Sequence, residues 1–90
     1  MGTVIIKMKL MPNSQETDIT GIEAEVRNIL NNKEIKNFKI EIEPIAFGLK
    51  ALIILFGWPE EEELNTLEEK IKGIEGVGSL EILDMRRAIG

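Results

Sequence analysis

Hydrophobic and polar residues alternate in several short segments of the chain, and a period of two is typical of β-strands. Residues 3–11 form the first such segment and residues 35–43 the second. Residues 49–58 are almost entirely apolar, as in a strand that is covered on both faces. A last alternating segment begins near Leu80 and runs to Arg87. The pattern therefore predicts four strands.

Two segments between the strands instead repeat their apolar residues at the 3.6-residue period of an amphipathic helix. The first helix follows Asp18, a good N-cap residue, and ends near the two asparagines at residues 31–32. The second is predicted to begin with the four glutamates of residues 60–63, because the helix macrodipole favours negative charge at that end. Gly73 and Gly76 are candidates for its C-terminal cap.

The order strand–helix–strand, hairpin, strand–helix–strand is that of the split βαβ, or ferredoxin-like, arrangement. We expect an α+β sandwich of the βαββαβ type, in which two helices cover one face of a four-stranded antiparallel sheet. Ninety residues suffice for one domain with a modest core, so residues 1–90 are predicted to form a single domain. The other face of the sheet is expected to be partly apolar, which usually marks a contact with a partner. The residues expected there are Ile5, Leu49, Ile53 and Leu83.

The hairpin between the second and third strands lies within residues 44–52, which read Pro-Ile-Ala-Phe-Gly-Leu-Lys-Ala-Leu. Pro44 lacks an N–H group, so it fits the end of an edge strand better than a central strand. Gly48 can supply the positive φ that a tight connection requires. Phe47 then lies at the tip, where its ring either folds back over the core or is offered to a partner.

Composition excludes several kinds of chemistry. The chain has no cysteine and no histidine, which removes disulfides, thiol nucleophiles, the usual zinc sites and the commonest general base. A net charge of -5 argues against direct binding to nucleic acid, which depends on many Lys and Arg contacts to phosphate. Because the sequence contains neither a run of 18 apolar residues nor a signal-peptide pattern, we expect no membrane contact and a cytoplasmic location. We expect neither a cofactor nor a metal ion.

Few side chains remain as candidates for binding. The acidic residues 60–63 suit a solvated helix start better than a cation site. Arg86 and Arg87 close the last strand, and by default such a pair is a frayed basic tail. In an acidic protein the same pair is also a plausible probe for an anionic pocket. A small-molecule-binding regulatory domain stays open as an alternative, because the fold alone does not decide function.

Residues 44–52, together with Asp84-Met85-Arg86-Arg87, resemble the archaeal elongation factor 1-beta family. Its members are guanine nucleotide exchange factors for elongation factor 1-alpha, the GTPase that carries aminoacyl-tRNA to the ribosome. The resemblance implies that this chain promotes exchange of GDP for GTP without covalent chemistry of its own. It also implies contact with the GTPase in its GDP-bound or nucleotide-free state.

The resemblance further assigns roles to residues at two places. In the family, one end of the domain contacts the nucleotide-binding domain of the GTPase and the other end contacts its second domain. The aromatic residue of the family's Phe-Gly motif lies in the contact surface and matters for exchange. That role is carried over to Phe47, supported by Gly48 and Lys50.

In the family a basic residue close to the C-terminus enters the magnesium and phosphate region of the GTPase. By position it corresponds to Arg87, which follows Met85 and Arg86. Eukaryotic relatives have lysine at that place. Arginine is larger, planar and permanently charged, so this difference is not neutral for a residue that enters a small pocket.

Overall fold

The structure, a computed structural model, describes residues 2–35 and 37–87. Within them lie four strands and two α-helices: β1 (Thr3–Pro12), α1 (Ile19–Asn32), β2 (Phe38–Pro44), β3 (Lys50–Pro59), α2 (Leu64–Lys72) and β4 (Val77–Arg87). The strands form one antiparallel sheet in the order β2-β3-β1-β4. This arrangement confirms the predicted ferredoxin-like α+β class. Each strand boundary lies within about three residues of the expected position.

The predicted start of the second helix is wrong. Helix α2 begins at Leu64, so the glutamates of residues 60–63 precede the helix and do not form its first turn. One local and one long-range hydrogen bond hold this segment in a turn. The indole Nε1 of Trp58 donates to the carbonyl oxygen of Glu62 at 3.0 Å, and the Glu60 N–H donates to the carbonyl oxygen of Gly2 at 2.9 Å. Trp58 itself is buried, so its indole is held where it can bind the turn.

One face of the sheet packs against both helices. The core is formed by alternate residues of the central strands β1 and β3 together with the apolar faces of the two helices. Its fully buried members are Ile6, Met8, Leu10, Ile22, Val26, Leu30, Leu52, Ile54, Phe56, Leu67 and Ile71. Strands β2 and β4 lie at the edges, and Pro44 ends β2, as its missing N–H group requires.

Asp18 is the N-cap of α1, as predicted. Its Oδ1 accepts hydrogen bonds from the Thr20 hydroxyl at 2.6 Å and from the Thr20 N–H at 3.2 Å. The Thr20 hydroxyl, followed by the N–H of Gly21, lowers the pKa of the Asp18 carboxyl below its ordinary value of 3.8. A carboxyl whose pKa is lowered by folding stabilises the protein above pH 3.8, and that contribution is lost as the pH falls through the lowered pKa.

The turn between α2 and β4 is fastened to the loop between β1 and α1, which comprises residues 13–18. Of the two glycines predicted as candidates for the C-cap of α2, Gly73 occupies that position. Gly76 lies beyond the cap, in the turn, and has a φ of 99°. The carbonyl oxygen of Gly76 accepts a hydrogen bond from the Asn13 N–H at 2.8 Å. A Cβ atom at Gly76 would lie only 2.7 Å from Cγ2 of Thr17. The two loops therefore approach so closely that glycine is required between them.

The opposite face of the sheet is partly apolar, as expected. Ile5, Leu55 and Leu83 are 38%, 39% and 43% exposed. Of the four residues expected to be exposed on this face, two are not: Ile53 is buried and Leu49 is half-buried. Ile53 is covered because it lies in a shallow depression between long charged side chains, whose aliphatic stems shield it. The charged residues lining that depression are Lys7, Lys9, Lys39, Glu41 and Glu43.

We expect Gly76→Ala to lower the free energy of unfolding by more than about 1 kcal/mol, because alanine is strained at this φ and its methyl group collides with Thr17. Gly73→Ala is the matched control. Gly73 has φ -76°, and a methyl group there meets the Glu69 carbonyl oxygen at an ordinary 3.4 Å. We expect a change of less than about 1 kcal/mol for the control. Urea denaturation of both variants measures the difference, and equal losses would contradict the close approach of the two loops.

Candidate functional site

The six residues expected to contact a partner lie at two opposite ends of the sheet. Residues 46–48, here called the hairpin tip, join β2 to β3, and Lys50 is the first residue of β3. Residues 85–87, here called the C-terminal corner, end β4, where Arg87 is opposite Val4 of β1 and Val4 is opposite Trp58 of β3. At roughly 3.3 Å per residue along β3, the two groups are about 26 Å apart.

The two groups also lie on different edges of the sheet, because the hairpin includes the edge strand β2 and the corner belongs to the opposite edge strand β4. They therefore occupy diagonal corners of a molecule whose longest dimension is 41 Å. No small ligand reaches both at once. A partner that binds both groups has to be a macromolecule that extends along the long axis.

The hairpin tip is a single 3-10 turn, Ala46–Gly48. Its base is closed by a hydrogen bond from the Ile45 N–H to the Leu49 carbonyl oxygen at 2.8 Å. Gly48 has the predicted positive φ, 74°, but Phe47 also has a positive φ, 63°, which the sequence did not predict. The left-handed conformation costs an L-residue roughly 1–2 kcal/mol.

The ring of Phe47 points into solvent, with 85% of the residue exposed. Of the two interpretations that the sequence left open, the one in which the ring folds over the core is therefore wrong. An isolated aromatic ring at a turn gains little from exposure to water, and buried aromatic side chains dominate the binding energy of many protein interfaces. The hairpin tip is thus suited to inserting into a pocket of another protein.

Gln15, in the β1–α1 loop, contacts the hairpin tip and was missed by the sequence reasoning. Its side-chain Nε2 donates a hydrogen bond to the carbonyl oxygen of Phe47. Gln15 also lines a hollow of about 280 Å³ together with Gly48, Lys50 and Asp18. Lys50 is exposed at the rim of this hollow, so its charge is available to a partner that covers the tip.

The C-terminal corner presents two exposed arginines. Arg86 and Arg87 have side chains that are 80% and 74% exposed. Their side chains point to opposite faces of the sheet, because successive strand residues alternate. Arg86 pairs with Asp84 at 2.8 Å, and Met85, which is 53% exposed, adds an apolar contact surface beside them. Both arginines belong to the paired strand β4, so the interpretation as a frayed tail is wrong.

Glu60 is the second residue that sequence reasoning missed. Its carboxylate pairs with the guanidinium of Arg87, and its backbone N–H donates to the Gly2 carbonyl oxygen at 2.9 Å. The Glu60 side chain is the better buried partner, at 34% exposed against 74% for Arg87. The pair holds Arg87 against the turn after β3. Exposed ion pairs contribute only about 0–1 kcal/mol, so a stronger anion on a partner can displace Glu60.

Three further findings concern the described part of the chain. Within residues 2–35 and 37–87 no charged or polar residue is buried. The same part of the chain has no group of three or more acidic side chains arranged to hold a metal ion. Neither described helix is long and apolar enough to cross a membrane.

Comparison with known proteins gives a family match over almost the whole chain. Residues 5–88 match the family model described as EF-1 guanine nucleotide exchange domain. A protein of Saccharolobus islandicus named Elongation factor 1-beta is 37% identical over 89 residues, which cover 97% of each chain. The protein of the same name from Archaeoglobus fulgidus is 38% identical over 87 residues, covering 94% of this chain and 97% of the relative.

Solved structures of other proteins share the architecture. The ACT domain from the GTP pyrophosphokinase of Chlorobium tepidum superposes with a TM-score of 0.65 at 14% identity, covering 93% of this chain and 90% of that chain. BlrP1 BLUF gives a TM-score of 0.61 at 16% identity, covering 98% of this chain and 56% of that chain. At such identities the likeness shows the fold alone.

We expect Phe47→Ala to change the free energy of unfolding by less than about 0.5 kcal/mol, because the ring contributes little to the core. Phe56→Ala is the control, since Phe56 is buried and its truncation costs roughly 3–5 kcal/mol. Urea and thermal denaturation measure both changes. A loss for Phe47→Ala that approaches the loss for Phe56→Ala would mean that the ring packs on the core in solution.

Proposed function

This chain belongs to the family of EF-1 guanine nucleotide exchange domains and is a guanine nucleotide exchange factor, and we propose that its target is the GTPase elongation factor 1-alpha. The proposal rests on the family match over residues 5–88. We further propose that residues 1–90 act as one exchange domain, in the cytoplasm where aminoacyl-tRNA is delivered. The protein then binds the GDP-bound GTPase, promotes release of GDP and leaves when GTP enters, without covalent chemistry, nucleic-acid contact or membrane contact.

The hairpin tip is proposed to anchor the protein on the GTPase. Phe47 is 85% exposed and stands at the end of a closed turn, so a pocket on the partner can bury the ring without disturbing the core. Burial of an aromatic ring supplies much of the affinity in many interfaces. Gly48 allows the turn that presents the ring, and Lys50 offers a charge at its base.

The C-terminal corner is proposed to act on the nucleotide site. Magnesium in that site is the largest local charge and holds the phosphates of GDP to the GTPase. In this mechanism the guanidinium of Arg87 exchanges the carboxylate of Glu60 for the phosphate region of the partner. A second cation there repels the metal and competes for its ligands, so GDP is bound less tightly. Met85 and Arg86 support the contact at the same corner.

Linkage explains how the factor turns over. If the factor weakens GDP binding tenfold, GDP weakens binding of the factor tenfold, because the coupling free energy is the same in both directions. Incoming nucleotide therefore expels the factor. A thousandfold acceleration of GDP release requires the barrier to fall by about 4 kcal/mol. One inserted aromatic ring and one desolvated charge are of the right magnitude to supply this.

The proposal is tested by release of a fluorescent GDP from archaeal elongation factor 1-alpha at substoichiometric amounts of this protein. We expect release to accelerate severalfold or more, with multiple turnovers per molecule of factor. Bovine serum albumin at the same concentration controls for non-specific effects. If a well-folded sample has no effect on a cognate GTPase, the proposed target is wrong, and a thermal-shift screen then tests the small-molecule alternative.

A second prediction concerns Arg87. We expect Arg87→Ala to reduce the maximal rate of GDP release more than it reduces affinity for the GTPase, because the guanidinium acts on the nucleotide site after docking. Arg86→Ala is the matched comparison, since it removes the neighbouring exposed charge from the opposite face of the strand. As a supporting contact, Arg86 is expected to affect affinity for the GTPase and not the maximal rate of GDP release. Titration of the release rate against factor concentration separates the two effects. If rate and affinity fall together, Arg87 acts only as a docking contact.

A further inference from the structure

The hairpin tip is supported from a distant part of the chain by Gln15. The Gln15 amide is the side-chain donor to the Phe47 carbonyl oxygen, across 32 residues of sequence. The same side chain lies beside Gly48, where a Cβ atom would come within 3.8 Å of Gln15 carbon Cδ. Gln15 is exposed, so the contact forms at the surface and outside the core.

The loop that carries Gln15 is itself held in place on both sides of that residue. The Asn13 N–H donates to the Gly76 carbonyl oxygen at 2.8 Å, which ties the loop to the α2–β4 turn. The Thr17 hydroxyl donates to Oδ1 of Asn13 at 2.8 Å and lies 3.2 Å from the Ser14 hydroxyl. Gln15 is therefore presented to the hairpin from a fixed platform.

The hairpin tip needs such support. Phe47 adopts a left-handed conformation that an L-residue rarely adopts, and its ring has almost no contacts that would hold it there. Two backbone hydrogen bonds close the base of the turn, from the Ile45 N–H to the Leu49 carbonyl oxygen at 2.8 Å and from the Leu49 N–H to the Ala46 carbonyl oxygen at 3.3 Å, but neither involves the N–H or the carbonyl group of Phe47. The Gln15 amide is the donor that holds the Phe47 carbonyl itself. Without that donor, a partner that binds the ring has to order the tip, and that ordering reduces affinity.

We propose that Gln15 is a positioning residue for partner binding, which holds the Phe47 carbonyl so that the ring is presented in its binding conformation. This inference rests on the proposed function, and it adds the β1–α1 loop to the recognition surface. It requires that loss of the Gln15 donor weakens binding of the GTPase while the maximal rate of GDP release is unchanged. Stability of the fold is also expected to be unchanged, because Gln15 and the tip are both exposed.

The experiment compares variants at position 15 by GDP release at increasing factor concentration. Gln15→Ala and Gln15→Glu both remove the donor, and we expect each to raise the apparent KM roughly threefold to tenfold at unchanged kcat. Gln15→Lys restores a donor of similar reach, so we expect its KM to approach that of the unmodified protein. Glu16→Ala, at the exposed neighbouring position, is the control for effects of the loop itself.

A double-mutant cycle separates positioning from direct contact. In the Phe47→Ala background there is no ring to position, so Gln15→Ala is expected to cause no further rise in KM. An equal rise in both backgrounds would overturn the proposal, because Gln15 would then touch the partner independently. An unchanged KM for Gln15→Ala in the otherwise unmodified protein would overturn it as well.

A measurement on the free protein distinguishes failure of this inference from failure of the proposed function. The heteronuclear ¹⁵N NOE of residues 46–48 reports backbone motion on the ps–ns timescale without any GTPase. We expect Gln15→Ala to lower it at the tip and leave it unchanged in β1. An unchanged NOE would overturn the positioning role. If the unmodified protein does not accelerate GDP release, the proposed function is wrong, and the NOE still decides whether Gln15 holds the tip.

Discussion

Burial of one face of β1 and β3 beneath the two helices is the constraint on which the rest of this structure depends. These strands supply most of the buried sheet residues, and their antiparallel register sets the ends of the sheet. A slip of one residue would turn their apolar side chains to the open face, so the register is strongly specified. Because the register is specified, the hairpin tip and the C-terminal corner are held at opposite ends of one rigid body.

The hairpin tip and the C-terminal corner are both held by a contact within the protein, but the two contacts differ in chemistry. Each of the two residues proposed to contact the GTPase is bonded to a residue of a neighbouring loop: the Gln15 amide donates to the carbonyl oxygen of Phe47, and the Glu60 carboxylate pairs with the guanidinium of Arg87. The first interaction keeps a strained backbone in place and leaves the ring free. The second occupies the charged group itself, so in the proposed mechanism the GTPase displaces Glu60 before it binds Arg87. Under this proposal one end of the molecule serves for docking and the other exchanges one ionic partner for another.

The family match bears on the function of this chain, whereas the likeness of fold to other solved structures does not. Likeness to the ACT domain and to BlrP1 BLUF concerns an architecture that serves many unrelated functions. The candidate contacts of this chain lie on its surface, as an exposed aromatic residue at a turn and two exposed arginines at the far corner. Exposed aromatic and arginine side chains can supply binding energy to a partner, which is what the proposed mechanism requires of them.

The sequence by itself determined the features that depend on residues close together along the chain. Periodicity predicted the strands and helices, Asp18 was identified as the N-cap, Pro44 as an edge residue and Gly48 as a position of positive φ. The exposure of Phe47 was decided only by the tertiary structure, as was the turn that delays α2, because both depend on how distant segments pack.

The contacts of Gln15 with Phe47 and of Glu60 with Arg87 were also decided only by the tertiary structure. They span 32 and 27 residues of sequence, so no local pattern marks them. A local motif reports the conformational preference of its own backbone. Contacts between loops arise only after the central strands have found their register, because that register decides which chain ends become neighbours.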